Sequence, residues 1–368
     1  MTGRRTSLAV FGPLPPQPTG VARYIHTSAI HLERHFDVTC ASSPTDADPH
    51  DFDHVLYHLG NNAMHHGAFR ALHQRPGPIV LHEFNNLDYY HQAWTQLTPN
   101  EQHHILHAYG RHLGEDLPNR SALDAYAIRN PTLDLGSLDL GIEQLAVHAA
   151  TTTLVHHPAT AQLLRERHPQ ADIRALPFPV EPITTPDPHR VRRRLHLPDH
   201  AMLFATFGFI GQYKRVEQIL EAWQCWTDRP DHAHLLLAGE LQYPLPIPDD
   251  PTIHHTGHLT DRDFDDLLLS VDCAIQLRHP WLGETSGPVT TLLAHHRPVI
   301  LSDTPGMHTD APTVTHVPVG PGEVDTLVHA LRQHIRNPAP APTYNPDHSW
   351  RAWAETLATA LTTPAEAR

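Results

Sequence analysis

The 368 residues exceed what one ordinary core serves and suit two domains of similar size. Hydrophobic residues make up 40% and charged residues 18%, and the formal charge of −14 argues against a nucleic-acid binder that works by neutralising phosphates. Cys40, Cys225 and Cys273 are scattered without partner spacing and no apolar stretch approaches a membrane span, which speaks against a disulfide framework, a zinc ribbon and a transmembrane protein.

Ser7 to Phe11 reads as a short buried strand, followed by a Pro-rich turn from Pro13 to Gly20 and a helix from Val21 to Phe36. Asp37 to Ala41, Asp53 to Leu59 and Pro78 to Leu81 read as further strands. Residues 85–139 form a largely helical insertion rich in aromatics and His, and Leu140 to Ala149 is another helix. Thr152 to Val155 is a strand, Ala159 to Arg167 a helix, and Ile173 to Leu176 another strand. Residues 181–190 carry four Pro and read as an interdomain linker.

The alternation then restarts. Leu203 to Phe207 is a strand, Val216 to Trp226 a helix, and His234 to Leu237 and Ile253 to Gly257 are strands. Thr260 to Leu269 is a helix with Thr260 as cap, Cys273 to Leu277 a strand, Gly287 to His295 a helix, and Val299 to Ser302 a strand. Helices over Glu323 to Ile335 and Trp350 to Leu361 complete the chain. Strands alternating with helices imply parallel sheets.

Open α/β sheets bind ligands outside the carboxyl ends of their strands, which makes the turns there the places to look for chemistry. Lys214 lies in the turn after the second half's first strand, where it offers a point charge to a diphosphate; a solvated Lys at a helix start is the plainer reading. Arg215 beside it reads as surface. In Glu284-Thr285-Ser286-Gly287-Pro288, Thr285 or Ser286 can cap a helix whose exposed N–H groups hold phosphate oxygens, and Glu284 can accept from sugar hydroxyls. An ordinary cap with a solvated Glu weighs equally. Arg278 ends a buried strand and either reaches the ligand or forms a structural ion pair. His82 follows a strand of the first half, and Thr19-Gly20 opens a helix there. The 35 His include adjacent pairs at 65/66, 103/104, 156/157, 254/255 and 295/296, whose dispersion reads as composition rather than as a metal site. Phosphate-loop, Gly-x-Ser-x-Gly and His-Glu-x-x-His motifs are missing.

Several of these pieces together resemble the family 4 glycosyltransferases. Pro15-Pro16-Gln17-Pro18-Thr19-Gly20 resembles the family's acceptor-side loop, and Ile79 to Phe84 its strand ending in His-Asp-Phe. Phe207 to Arg215 and Gly283-Glu284-Thr285-Ser286-Gly287 resemble a bacterial branch with a Gly-Glu-Thr-Ser-Gly donor loop, and the Ser349-Trp350 helix resembles the one that crosses back to the N-domain. The resemblance implies an α/β GT-B fold of two facing Rossmann-like domains. Residues 1–183 would be the acceptor side, 191–345 the nucleotide-sugar side, and 346–368 the returning helix. It implies a retaining, metal-independent hexosyltransferase with no cofactor beyond its nucleoside-diphosphate sugar. Lys214, Arg278, Thr285, Ser286 and Gly287 would hold the donor, His258 and Leu259 would border the base, and His82 and Glu284 would lie near the reacting sugar. Thr19 and Gly20 would face the acceptor.

Two positions depart from the family pattern. Thr291 stands where a second Glu is usual, and Phe209 stands near the usual Arg, for which Arg278 or Arg215 would substitute. Those departures keep open a non-catalytic partner of another transferase, and the same fold also serves nucleotide-sugar epimerases and phosphorylases. The expected partners are a sugar donor and a small-molecule or glycan acceptor. A cytoplasmic location is expected, with peripheral membrane contact open.

Overall fold

The computed structural model describes residues 5–17, 19–130, 133, 135–184, 186–187, 189–198, 200–336, 343–344 and 349–362. The chain divides into two compact units. The first is Met1–Phe178 with Leu282–Thr285 and Trp350–Arg368; the second is Pro179–Trp281 with Ser286–Ser349.

Six parallel strands build the first unit: β1 (Ser7–Phe11), β2 (Asp37–Ala41), β3 (His54–Leu59), β4 (Pro78–Leu81), β5 (Thr152–Val155) and β6 (Ile173–Ala175). Their order across the sheet is β2-β1-β3-β4-β5-β6. β1 and β3 are buried along nearly their whole length, as a parallel sheet covered on both faces requires. One face packs the helix Gly20–Leu32, which buries Tyr24, Ile25, Ser28 and Leu32 at helical spacing. The helix Trp350–Thr362 joins the same core. Its Trp350, Trp353, Ala354 and Leu357 meet Leu8, Val10, Leu56, Val80 and Leu154.

The second unit has β7 (Met202–Phe207), β8 (Ala233–Ala238), β9 (Ile253–His255), β10 (Cys273–Gln276), β11 (Val299–Ser302) and β12 (Val314–Val317), all parallel. The order β9-β8-β7-β10-β11-β12 is that of a Rossmann sheet, with the strand order reversing between β7 and β10. Alternate residues face opposite layers. Phe204, Leu235, Leu237, Ile275 and Ile300 enter one core, and Leu203, Ala205, Leu236, Ala274 and Leu301 the other.

Three elements escaped the sequence reading: the helices His66–Gln74 and Arg190–Arg194 and the strand β12. The helix His66–Gln74 is nine residues long and buries Ala68, Phe69, Ala71 and Leu72, so half of its apolar face is alanine. β12 is an edge strand whose one fully buried residue is Val317, which leaves little alternation to read. The helical insertion resolves into helices at Leu87–Gln92, Pro99–Leu113 and Arg120–Arg129, and the expected helix over 140–149 is shortened to Gln144–Ala149.

Trp353 is 4% exposed and ties the last helix to the first sheet. Trp353→Ala should cost about 3–5 kcal/mol of stability in urea unfolding, the range for removing a large buried aromatic.

Candidate functional site

In the second unit, two loops leave the sheet where the strand order reverses. One follows β7 and runs from Gly208 to Arg215; the other follows β10 and runs from Leu277 to Ser286. The first is stitched to the end of β8 by Gly208 N to Ala238 O (3.0 Å) and Ile210 N to Glu240 O (2.8 Å). Gly208 has φ +87°, where a side chain is strained, and a Cβ there would stand 2.9 Å from the Lys214 ammonium. That glycine lets Lys214 fold back under the loop.

Lys214 is 5% exposed and its ammonium donates to Phe207 O. Among the described residues no carboxylate pairs with it. Burial, then the nearby Arg278 charge, lowers its pKa to about 7. Arg278 is 9% exposed; its backbone N donates to Ser302 Oγ at 2.8 Å and its guanidinium lies 5.1 Å from the Tyr213 ring centroid. The second loop is joined to the first by His279 N to Tyr213 O (2.8 Å). A second positive charge beside a buried ammonium raises the cost of charging that ammonium, and an anion lowers it.

Ser286 caps the helix Gly287–Ala294, accepting from Val289 N at 3.5 Å. Pro288 has no N–H, so the backbone N–H groups of Ser286 and Gly287 are those left to a ligand at this end. Thr285 precedes the cap and is not the capping residue. Leu282–Thr285 belongs with the first unit. There Leu282 O accepts from Phe84 N and Asn85 N, each at 3.2 Å. Glu284 accepts from Leu282 N at 2.8 Å. Gly283, at φ +93°, has no room for a Cβ, which would meet the Phe84 ring at 2.1 Å.

The first unit gathers four of its histidines. His58 is the penultimate residue of β3, His82 follows β4 and His156 follows β5, so three neighbouring parallel strands deliver them side by side. His58 Nδ1 and His82 Nε2 are 3.1 Å apart, and His65 Nδ1 lies 2.9 Å from His58 O. His156 Nδ1 lies 3.0 Å from Leu176 O. The Tyr24 ring sits 5.5, 5.0 and 5.2 Å from the His58, His82 and His156 rings. The histidine pairs 65/66 and 156/157 are therefore not merely dispersed composition, because one member of each joins this cluster.

His58 Nε2 is buried without a hydrogen-bond partner. A bare lone pair tolerates that better than an N–H does, which puts the His58 proton on Nδ1, donating to His82 Nε2. His82 then carries its own proton on Nδ1. Burial, with the other His charges second, holds His58 down to about 3 and His82 well below the ordinary value. Burial lowers His65 and His156 to about 4.

No family model matches the chain, and no curated protein matches it by sequence. Solved structures do match along nearly the whole length. Sucrose-phosphate synthase from Thermosynechococcus elongatus has a TM-score of 0.60 at 13% identity, covering 97% of this chain and 95% of that one. WaaG, a glycosyltransferase involved in lipopolysaccharide biosynthesis, gives 0.53 at 14% identity over 97% and 96%. Anabaena Alr3699/HepE in complex with UDP and glucose gives 0.54 at 12% identity over 96% and 95%. The fold is GT-B.

Within this GT-B chain the remaining expected positions fall as follows. His258 is exposed beyond β9, and Leu259 is 7% exposed and packed into the second unit's core. Thr19 caps the helix Gly20–Leu32, accepting from Val21 N at 3.0 Å. Gly20 is exposed with open space where a Cβ would stand, so no steric need makes it a glycine. Thr291 turns back on its own helix and donates to Gly287 O at 3.0 Å. Phe209 is 40% exposed.

Arg215 corrects the surface reading. It adopts φ 53° and donates through Nε and Nη2 to the two carboxylate oxygens of Glu323, itself 2% exposed. That partner ties Arg215 to the helix Glu323–Arg336, so Arg278 is the cation placed beside Lys214. Sequence reasoning marked the Phe207 to Arg215 stretch but gave no separate role to Gly208 or Tyr213.

The histidine cluster sets an acid limit. These groups stay neutral in the folded chain but take protons near pH 6.5 when unfolded, so stability falls as pH drops from about 6.5 towards 4. Urea unfolding between pH 7 and 5 should show this slope, and His58→Gln should flatten it while a surface His26→Gln should not.

Proposed function

We propose that the chain is a retaining glycosyltransferase that moves a sugar from a nucleoside-diphosphate sugar to a hydroxyl or amine acceptor. The observation that carries this reading is the buried Lys214–Arg278 pair at the strand-order reversal of a Rossmann sheet. A diphosphate supplies negative charge that favours the charged form of Lys214, and its leaving-group charge grows in the transition state, where fixed cations and helix N–H groups are most effective. Ser286 and Gly287 N–H groups add donors without a metal. Residues 191–345 are the donor side in this reading and 1–183 the acceptor side.

The diphosphate leaves the anomeric carbon on the face from which the acceptor attacks and takes up the acceptor's proton, so the sugar passes to the acceptor with its anomeric configuration retained. His82, with its proton on Nδ1, is assigned a hydrogen bond to the donor sugar, and Glu284 accepts from a sugar hydroxyl. A family 4 membership and a hexose donor remain part of the proposal through the Gly283-Glu284-Thr285-Ser286-Gly287 loop. Thr291, in place of a second Glu, leaves the ribose without that carboxylate.

Calorimetry with UDP, GDP, dTDP and ADP tests the reading. One of them should bind, and Lys214→Ala should weaken it at least tenfold. A bound anion returns the Lys214 pKa towards its ordinary value, so binding at pH 8 should take up a proton, read from heats in buffers of different ionisation enthalpy. Lys214→Ala should abolish that uptake. Failure of all four to bind would reject the donor site, and turnover of a sugar nucleotide without an acceptor would favour an epimerase instead.

A further inference from the structure

The β11–β12 connection of the second unit brings together three side chains that the donor site does not use. Asp303 follows β11 directly and its backbone N donates to Val317 O at 2.8 Å. His316 lies on β12, in register with Leu301 of β11. His308 lies in the loop between, its ring stacked on that of His316 with centroids 5.0 Å apart. One ligand atom from each of the three lies within 4.8 Å of the others.

The hydrogen bonds around these rings select which nitrogen is available. His316 Nε2 lies 3.0 Å from Thr309 O, and the alternative donor Thr309 N is farther, at 3.5 Å. The closer contact assigns the proton to Nε2 and the lone pair to Nδ1. His316 Nδ1 is buried without a hydrogen-bond partner. His308 differs: its Nδ1 lies 3.4 Å from Asp303 Oδ1, which accepts, so a cation between the two displaces that proton; its Nε2 is 4.0 Å from the Asp310 carboxylate, beyond hydrogen-bond reach. Thr309 O holds the Nε2 proton of His316, as the outer partner of a metal-bound histidine does.

We propose that Asp303, His308 and His316 bind a divalent transition-metal cation of the zinc class, which clips the β11–β12 loop to the sheet edge. Two N or O ligands on a tetrahedral zinc stand about 3.3 Å apart, close to the Asp303–His308 spacing. His308 is 59% exposed, free to swing the remaining distance towards His316. Imidazole with one carboxylate suits zinc, cobalt or nickel and not magnesium or calcium, and water fills the fourth position. This cation takes no part in holding the diphosphate, whose residues are different.

Zn²⁺ titration of the whole chain, followed by calorimetry and by melting temperature, tests the site. Because 35 His give background binding, the reading is a difference. The wild type should hold one more equivalent than the double variant Asp303→Asn/His308→Ala, with at least tenfold tighter affinity for that equivalent, and Zn²⁺ should raise only the wild-type melting temperature. Both substituted side chains are more than half exposed, so the fold should persist. A second reading needs no variant: diethyl pyrocarbonate labelling with mass spectrometry should show His308 and His316 protected first as Zn²⁺ is added. Equal zinc binding by the variant, or protection of other histidines before these, would overturn the proposal.

Discussion

Much of the second unit's layout follows from holding a buried ammonium where two loops leave a parallel sheet. Lys214 can sit at 5% exposure only because Gly208 gives up its side chain, Phe207 offers a carbonyl, and Tyr213 is held by the second loop. Arg278 adds a second positive charge nearby, which together with burial makes a charged Lys214 costly. That cost is what makes the location informative. A protein that needed only a folded sheet would gain nothing from two like charges at its switch point.

The first unit is organised around a different buried polar group. His58, His82 and His156 occupy the carboxyl ends of three adjacent strands, under Tyr24 and beside Trp350 and Trp353. The shared His58–His82 hydrogen bond fixes a tautomer chain that leaves one proton on His82 Nδ1. The last helix therefore does more than close a hydrophobic face. Its tryptophans stand against the Tyr24 ring that covers the histidines, and so help keep them neutral.

Arg215 shows how neighbouring cations acquire unlike tasks. Lys214 and Arg215 are adjacent in sequence, yet the left-handed backbone at Arg215 turns its side chain to Glu323 while Lys214 points under the loop. The ion pair is nearly buried on the Glu323 side, so it fastens the helix Glu323–Arg336 to the loop. The loop after β7 gains rigidity from one cation and charge from the other.

Strand positions were legible because buried parallel strands are short apolar runs: β1, β4, β5 and β11 fall on the residues their hydrophobicity marks, while the edge strand β2 shows as alternation. The helix His66–Gln74 and β12 were not: half of the helix's short apolar face is alanine, and β12 buries a single residue at the sheet edge. Local chemistry also revealed that Lys214, Arg278 and the Ser286-Gly287 turn follow strands, and hence lie at carboxyl ends. Tertiary structure alone decided which strands are neighbours. Strand adjacency turned isolated histidines into one cluster, set Arg278 rather than Arg215 beside Lys214, and joined Asp303 to His316 across a loop. Those facts depend on contacts between residues well separated along the chain, and periodicity records which way a side chain faces but not what it meets.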